Sequence, residues 1–236
     1  MRAIIQPVGT SRLRLILLYS LLVMVVGACG CTAEKPCTVK FEQAPELRGF
    51  RLGMSVSDVQ ERFAGFPAPV ADELGLATVE ISNRNSTQTS RTNVGFNFVD
   101  ASPYVELSSL KHIELKFFDG RLIEISVYYP NDLSWESADE FSRKTAEALK
   151  LDGTWRQVGS DNDYSEIRSL HCGEVLQSFS VLAGFRRGPL LEESTKFPYV
   201  KLQDFMRGEL EVYKRKKERD DRLNREEQER KEKFKP

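Results

Sequence analysis

The chain has 236 residues, enough for one medium-sized domain or two small ones, and 29% of them are charged against 40% that are apolar. Residues 29–213 carry 20 Lys and Arg against 28 Asp and Glu, a net charge of about -8, whereas residues 214–236 are basic. A folded body of this sign lacks the basic surface that phosphate binding needs, so we do not expect nucleic acid as a partner.

The N-terminus has the pattern of a targeting signal. Basic residues up to Arg14 precede an apolar run from Leu15 to Ala28. A run this short is typical of a signal peptide, and it is shorter than the ~20 residues of a comfortable membrane span. We therefore expect residues 1–28 to be removed and the mature protein to lie outside the cytoplasm. An uncleaved transmembrane anchor is the alternative.

The apolar run ends in the sequence Val-Gly-Ala-Cys at positions 26–29. This resembles the lipobox of bacterial lipoproteins, in which the cysteine receives diacylglycerol and becomes the new N-terminus. The resemblance implies lipidation at Cys29 and a membrane-anchored lipoprotein of the cell envelope that faces the periplasm. In such lipoproteins, a residue other than Asp after the lipidated cysteine directs the protein to the outer membrane. Gly30 holds that position here, so the resemblance favours the outer membrane. Cys31 is a poorer candidate, and secretion after cleavage at Ala33 is the competing outcome.

With Cys29 lipidated, the other three cysteines can form at most one disulfide. A Cys37–Cys172 bond would tie the start of the mature chain to its distal half, and an oxidising envelope permits it. Three free thiols remain an equal alternative, because spacing alone does not fix connectivity. The chain has no Cys-x-x-Cys pair, which argues against a zinc ribbon or a thioredoxin-like site.

The first half of the mature chain reads as a tether, a short helix and several strands. Residues 29–47 are polar and predict the tether. Ser55 has the features of a helix N-cap, with Asp58 at the capping-box position. The apolar residues that follow fall on one face of a helix that Gly65 ends, and they are Val56, Val59 and Phe63. Strands are predicted over 76–81 and 94–99, with a polar loop between them.

The clearest predicted element is a β-hairpin over 111–129. Alternation keeps one face apolar if the loop is Phe118-Asp119-Gly120, which pairs Leu115 with Ile123 and Ile113 with Ile125. This register predicts a bulged hairpin with Gly120 in the left-handed conformation. The second face is then expected to be polar and solvated, and its residues are His112, Glu114, Lys116, Glu124 and Ser126.

The second half repeats the order of helix followed by strands. Ser137 and Glu140 predict a full capping box, and the helix should end near 152–153. Strands are expected from Trp155 onward and over 164–170, 175–185 and 199–202, with a tight reversal at 172–174. The sequence thus predicts an α+β fold over 48–203, with short helices on an antiparallel sheet and two candidate halves, 48–130 and 131–203.

Residues 204–236 are expected to form a charged helical tail. From Lys214 onward only Leu223 and Phe234 are large and apolar, so no heptad seam is present. We therefore expect this tail to pack on little of the fold.

Two stretches carry a family resemblance. The opening stretch contains Gly53, Met54, Ser55, Val59, Phe63, Gly65 and Pro67. It resembles the start of SmpA/OmlA-type outer-membrane assembly lipoproteins and the repeat unit of the β-lactamase-inhibitor-protein fold. Residues 115–122 are similar to the hairpin that ends such units. The resemblance implies a helix-on-sheet protein that acts through protein–protein contact without cofactors.

No catalytic or metal signature stands out. The two histidines, His112 and His171, lack the paired spacing of a metal site. The acids at Asp161, Asp163 and Glu166 lack the frame of a calcium loop. We therefore expect a non-catalytic, lipid-anchored envelope protein that binds another protein. The alternatives are an envelope hydrolase, which needs two carboxylates with displaced pKa values, and a small-ligand carrier, which needs a cavity of ~300 Å³.

Overall fold

The computed structural model describes residues 34–82, 96–130, 135–158, 165–174, 177–187 and 196–234. The strands are β1 Leu76–Ser82, β2 Phe96–Asp100, β3 His112–Phe118, β4 Arg121–Tyr128, β5 Arg156–Val158, β6 Ser165–Glu174, β7 Gln177–Arg187 and β8 Lys196–Asp204. The helices are α1 Val56–Arg62, α2 Ala138–Leu149 and α3 Val212–Lys233, with 3-10 turns at Phe41–Gln43 and Val105–Leu107 and a π-helical segment at Met206–Glu211. The predicted α+β class is confirmed.

The eight strands of the described residues form one sheet in the order β2-β1-β3-β4-β8-β7-β6-β5. All neighbouring strands are antiparallel except β1 and β2, which run parallel. Strands β1, β3 and β4 are antiparallel neighbours, as are β6, β7 and β8, and we call these sets the first and second half-sheets. The two half-sheets meet where β4 pairs with β8. The candidate halves of the sequence therefore share one continuous sheet.

The hydrophobic core lies on one face of this sheet, beneath α1 and α2. Val59 of α1 and Phe141 of α2 belong to the same buried cluster as the inward-facing strand residues. Phe50, Phe117 and Phe179 are among its largest fully buried side chains, and burying such a side chain stabilises the fold by about 1.5–3 kcal/mol. The cluster also includes three residues that the sequence assigned to a tether, Cys37, Ala44 and Leu47. The described residues from 35 onward thus belong to the fold.

The central hairpin departs from its predicted register. Leu115 pairs with Ile125 and not with Ile123. The turn has two residues, Asp119 and Gly120, with φ angles of 47° and 72°, which is the pattern of a type I′ turn. The register then shifts between Lys116 and Phe117, where Ile123 is the extra residue on β4. This bulge lets a two-residue turn coexist with an apolar face. The predicted left-handed Gly120 is confirmed.

Both predicted helix caps form, one of them incompletely. Ser55 and Asp58 make the full capping box at the start of α1. At α2 the hydroxyl of Ser137 accepts from the N–H of Glu140. The Glu140 carboxylate accepts from the N–H of Glu136, one residue before the predicted donor. The full box predicted at Ser137 is therefore wrong in its second hydrogen bond.

Strand β6 is longer than predicted. The expected reversal at 172–174 does not occur, because Cys172 pairs with Phe179 and Glu174 pairs with Gln177. Gly173 has φ 91° and lies against the backbone of Gln177, so this glycine permits a close approach of the two strands instead of a turn. The first residues of the strand predicted at 94–99, and most of the loop before it, lie outside the described residues.

Candidate functional site

The face of the sheet opposite to α1 and α2 carries a group of ionisable side chains, and we call it the polar face. Strand register aligns one row across five strands, with the residues Lys116, Glu124, Gln203, Ser180 and His171. A neighbouring row brings Glu80 of β1 beside Glu114 of β3. Side chains that are distant in sequence therefore become neighbours on this face.

Glu124 lies at the centre of a charged cluster. Its Oε1 is 2.8 Å from Lys116 Nζ, and its Oε2 is 3.0 Å from Lys201 Nζ. Burial acts to raise the pKa of Glu124, but the two lysines outweigh it and hold that pKa below its usual value. Glu124 is only 6% exposed, and Ser126 is buried as well. The prediction that this face is solvated is therefore wrong at these two positions.

Glu80 has the opposite shift. Burial raises its pKa, and the negative charge of the adjacent Glu114 raises it further. Glu114 in turn lies 3.3 Å from Lys116 Nζ. Burial acts to lower the pKa of Lys116, but the carboxylates of Glu124 and Glu114 together raise it. The cluster thus holds one carboxylate that ionises readily and one that retains its proton more tightly.

An aromatic row continues the polar face next to this cluster. The ring of His112 stacks on Tyr128 with centroids 3.9 Å apart, and Tyr128 stacks on Tyr199 at 5.6 Å. Tyr128 and Tyr199 are buried, so the rings pack against one another rather than forming an open platform. His112 is therefore placed in a packed stack.

The disulfide that the sequence left open is present. Cys37 and Cys172 are bonded across 135 residues, with Cα atoms 4.7 Å apart, and both are buried. Gly153 lies directly against Cys37, where a Cβ would approach the Cys37 backbone nitrogen to 3.0 Å. The Lys35 N–H donates to Thr154 Oγ1, and the Thr154 N–H donates to Lys35 O. The bond therefore sits in a segment that is also held by hydrogen bonds.

The C-terminal segment lies on the polar face, which the sequence did not predict. The ring of Phe205 meets His171 edge-on at 5.5 Å. A Cβ added to Gly208 would lie 3.2 Å from Gln203, so the backbone passes close to that side chain. Asp204 starts the segment, because its Oδ1 accepts from the N–H of Arg207 at 3.0 Å. Burial raises the pKa of Asp204 against the lowering effect of that N–H group.

Several residues singled out from the sequence lie outside the described residues. They are Cys29, the predicted lipidation site, and Cys31, Asp161 and Asp163. Among the side chains that the structure describes, no three of His, Cys, Asp and Glu converge as metal ligands would. No helix in the described part of the chain combines the length and the apolar character needed to cross a bilayer.

Comparison with known proteins finds no matching family model, no matching curated protein and no matching solved structure. The resemblance to outer-membrane assembly lipoproteins therefore stays a prediction from residues 53–67 and 115–122.

Proposed function

We propose that this protein is a non-catalytic lipoprotein of the cell envelope, anchored through Cys29 and acting by binding another protein. The observation that carries the proposal is the state of the polar face. Both oxygens of Glu124 are engaged by lysines, and the neighbouring aromatic rings are packed together. The charged and aromatic side chains of this face therefore stabilise the sheet through contacts with one another.

The edge strand β2 supports the binding role and suggests where a partner docks. Among the described strands, β2 pairs with β1 alone and forms one edge of the sheet, which is the position at which a partner strand can be added. Phe98 on this strand is 37% exposed and Val70 beside it is 63% exposed. The N–H of Val70 donates to Asn97 Oδ1 at 3.3 Å, which holds these apolar groups near one edge.

Photo-crosslinking in intact envelopes tests the proposal. A photoreactive amino acid replaces Phe98 in one variant and Val158 in a second. Val158 is the matched control, because it lies on the opposite edge strand β5 and has the same 37% exposure. We expect a discrete protein adduct from position 98 and a weaker one or none from position 158. Equal labelling at both edges would contradict a β2 docking site.

The anchor is tested separately with a Cys29→Ala variant. Loss of lipid should release the protein from the membrane fraction, because each buried acyl methylene contributes ~0.8 kcal/mol to membrane attachment. If the variant stays membrane-bound through its apolar run and captures the same partners, the lipid-anchor part of the proposal is wrong.

An envelope hydrolase is the second candidate, and the carboxylates Glu80 and Glu114 favour it. They are adjacent in the sheet, and the pKa of Glu80 is raised. Its test is release of soluble fragments from isolated envelope polymers by the purified protein. Turnover that is abolished in both Glu80→Gln and Glu114→Gln, with folding intact, would replace the binding proposal.

A further inference from the structure

Helix α3 is attached to the rest of the fold through two arginines. Arg215 binds Asp119 with both ends of its guanidinium group, Nη1 to Oδ1 at 2.9 Å and Nη2 to Oδ2 at 2.8 Å. Its Nη1 also donates to the carbonyl of Leu74 at 2.9 Å, and its guanidinium carbon lies 4.5 Å from the centroid of the Phe118 ring. One turn later, Arg219 Nη1 lies 3.0 Å from Glu73 Oε1.

These groups form one cluster around the two arginines, which we call the arginine notch: the carboxylates of Glu73 and Asp119, the carbonyl of Leu74 and the ring of Phe118. The notch is built by two turns whose own hydrogen bonds do not involve α3. Asp72 Oδ1 accepts from the N–H groups of Leu74 and Leu76, and the Asp119 N–H donates to Gly75 O.

Gly75 leaves the room that the arginine needs. A Cβ at this position would lie 2.8 Å from Arg215 Nη1 and would also collide with the Asp119 carboxylate. The residue has φ 79°, a conformation that glycine adopts without strain. The notch is therefore shaped to admit a guanidinium group.

The helix that fills the notch buries little else. None of the residues of α3 whose burial is described is buried, and Tyr213 and Leu223 are 68% and 48% exposed. A helix without an apolar stripe gains little from packing. Beyond its continuity with the segment Met206–Glu211, α3 is held on the fold by charge-assisted hydrogen bonds, which salt weakens where they are exposed.

We propose that the arginine notch is a binding site for a helix carrying two arginines one turn apart, and that α3 occupies it reversibly. Helix α3 detaches as an intact helix when the Arg215 and Arg219 contacts are weakened. The emptied notch then accepts an Arg-x-x-x-Arg helix from another molecule. This inference does not depend on the partner proposed at β2.

A distance measurement on the full chain tests the docking. Nitroxide labels on Val105→Cys and Leu223→Cys, with Cys29 and Cys31 replaced by serine, report the separation by pulsed electron resonance. We expect a single narrow distance at low salt and a broad distribution in 1 M salt, where the screening length falls to ~3 Å. The variant R215Q/R219Q should be broad at low salt. The matched control R222Q/R225Q, which removes the same charge from the same helix, should stay narrow.

Binding in trans tests the notch itself. A fluorescent peptide with the sequence of residues 212–233 is titrated into full-length protein, and anisotropy is recorded. The R215Q/R219Q chain should bind it at least roughly tenfold more tightly than the wild type, whose own helix competes at high effective concentration. Adding Asp119→Asn should abolish that binding.

Three results would overturn the proposal. The first is a narrow distance distribution in R215Q/R219Q, which would show that other contacts hold α3 on the fold. The second is a broad distance in the wild type at low salt. The third is peptide binding that is insensitive to Asp119→Asn. Near-ultraviolet circular dichroism of each variant confirms that the sheet is folded when these outcomes are scored.

Discussion

At the scale of single residues, the charged cluster of the polar face contains carboxylates with opposite roles. Glu124 has a lysine on each oxygen, whereas Glu80 faces a like charge at Glu114. Burial raises the pKa of both groups, and it is the largest contribution to the raised pKa of Glu80, whereas at Glu124 the two lysines reverse its effect. The two positions should therefore respond oppositely to loss of charge.

Glu124→Gln should destabilise the protein at neutral pH by about 2 kcal/mol, because it leaves two lysines without their buried carboxylate partner. Breaking a fully buried ion pair costs about 3–5 kcal/mol, and the partners here are less buried, with Lys116 and Lys201 side chains 36% and 23% exposed. Urea unfolding measures the change. Because the folded-state pKa of Glu124 is lowered, its contribution is present above the unfolded value and is lost as the pH falls through the folded value. The exposed Glu61→Gln control should change stability little.

Glu80→Gln should stabilise the protein at neutral pH by several tenths of a kcal/mol, roughly the size of a like-charge cross-strand pair. The pKa of Glu80 is raised from its ordinary value of 4.5 in the folded state. Above that raised value the ionised Glu80 carboxylate destabilises the folded state relative to the unfolded state. The stability difference from wild type should therefore vanish below pH 4.5, where Glu80 is protonated in both the folded and the unfolded state. Unfolding at pH 7 and pH 4 measures this, and a gain that persists in acid would contradict the electrostatic cause.

The composition of this cluster could be predicted from sequence, but its burial could not. Alternation along the hairpin correctly placed Glu114, Lys116 and Glu124 on one face. That face was expected to be solvated, because the segment that passes over part of it, at His171 and Gln203, begins at Phe205, more than 75 positions after the hairpin. Register between β4 and β8 then supplies Lys201, and no local pattern encodes such a long-range pairing.

At the scale of elements, the local signals that proved correct are those with a short physical range. The Ser55 cap and the left-handed Gly120 depend on contacts within three or four residues. The hairpin register failed because two arrangements keep the face apolar, a three-residue loop or a two-residue turn with a bulge. The structure adopts the second, with Ile123 as the additional residue, and its choice depends on packing at the bulge.

Ser55→Ala should destabilise the protein by about 1 kcal/mol, because the first turn of α1 loses the acceptor for the Asp58 N–H. Ser55→Thr should restore most of that stability, since threonine also caps helices. Thermal unfolding of the two variants gives the comparison. Equal losses for alanine and threonine would show that the position is sensitive to side-chain shape and that capping is not the cause.

For the charged C-terminal helix α3, the sequence pattern predicted how much it buries but not where it binds. The absence of an apolar stripe correctly indicated that α3 would bury little, and no buried residue is found among those described. The same pattern could not indicate that Arg215 and Arg219 reach the hairpin turn and the 72–75 turn. Recognition by guanidinium groups depends on acceptors that the fold brings together from distant segments.

At the scale of the whole molecule, the disulfide joins the segment before α1 to the second half-sheet. Cys37 precedes α1, whereas Cys172 lies on β6 of that half-sheet, and the nearby Leu170 belongs to the common core. Among the described strands, the only direct pairing between the two half-sheets is β4 with β8. The covalent bond therefore fixes the start of the described chain to a strand that lies 135 residues further along the sequence.

Removing this bond with Cys37→Ala/Cys172→Ala should destabilise the protein by about 2–5 kcal/mol, because a closed loop of this length strongly restricts the unfolded chain. Urea unfolding of the variant and of the wild type with and without reductant measures the loss. Reductant should lower the midpoint of the wild type but leave the variant unchanged. Cys31→Ser is the matched control and should behave as wild type. If Cys31→Ser is destabilised, or if reductant has no effect on the wild type, then the pairing in solution differs from Cys37–Cys172.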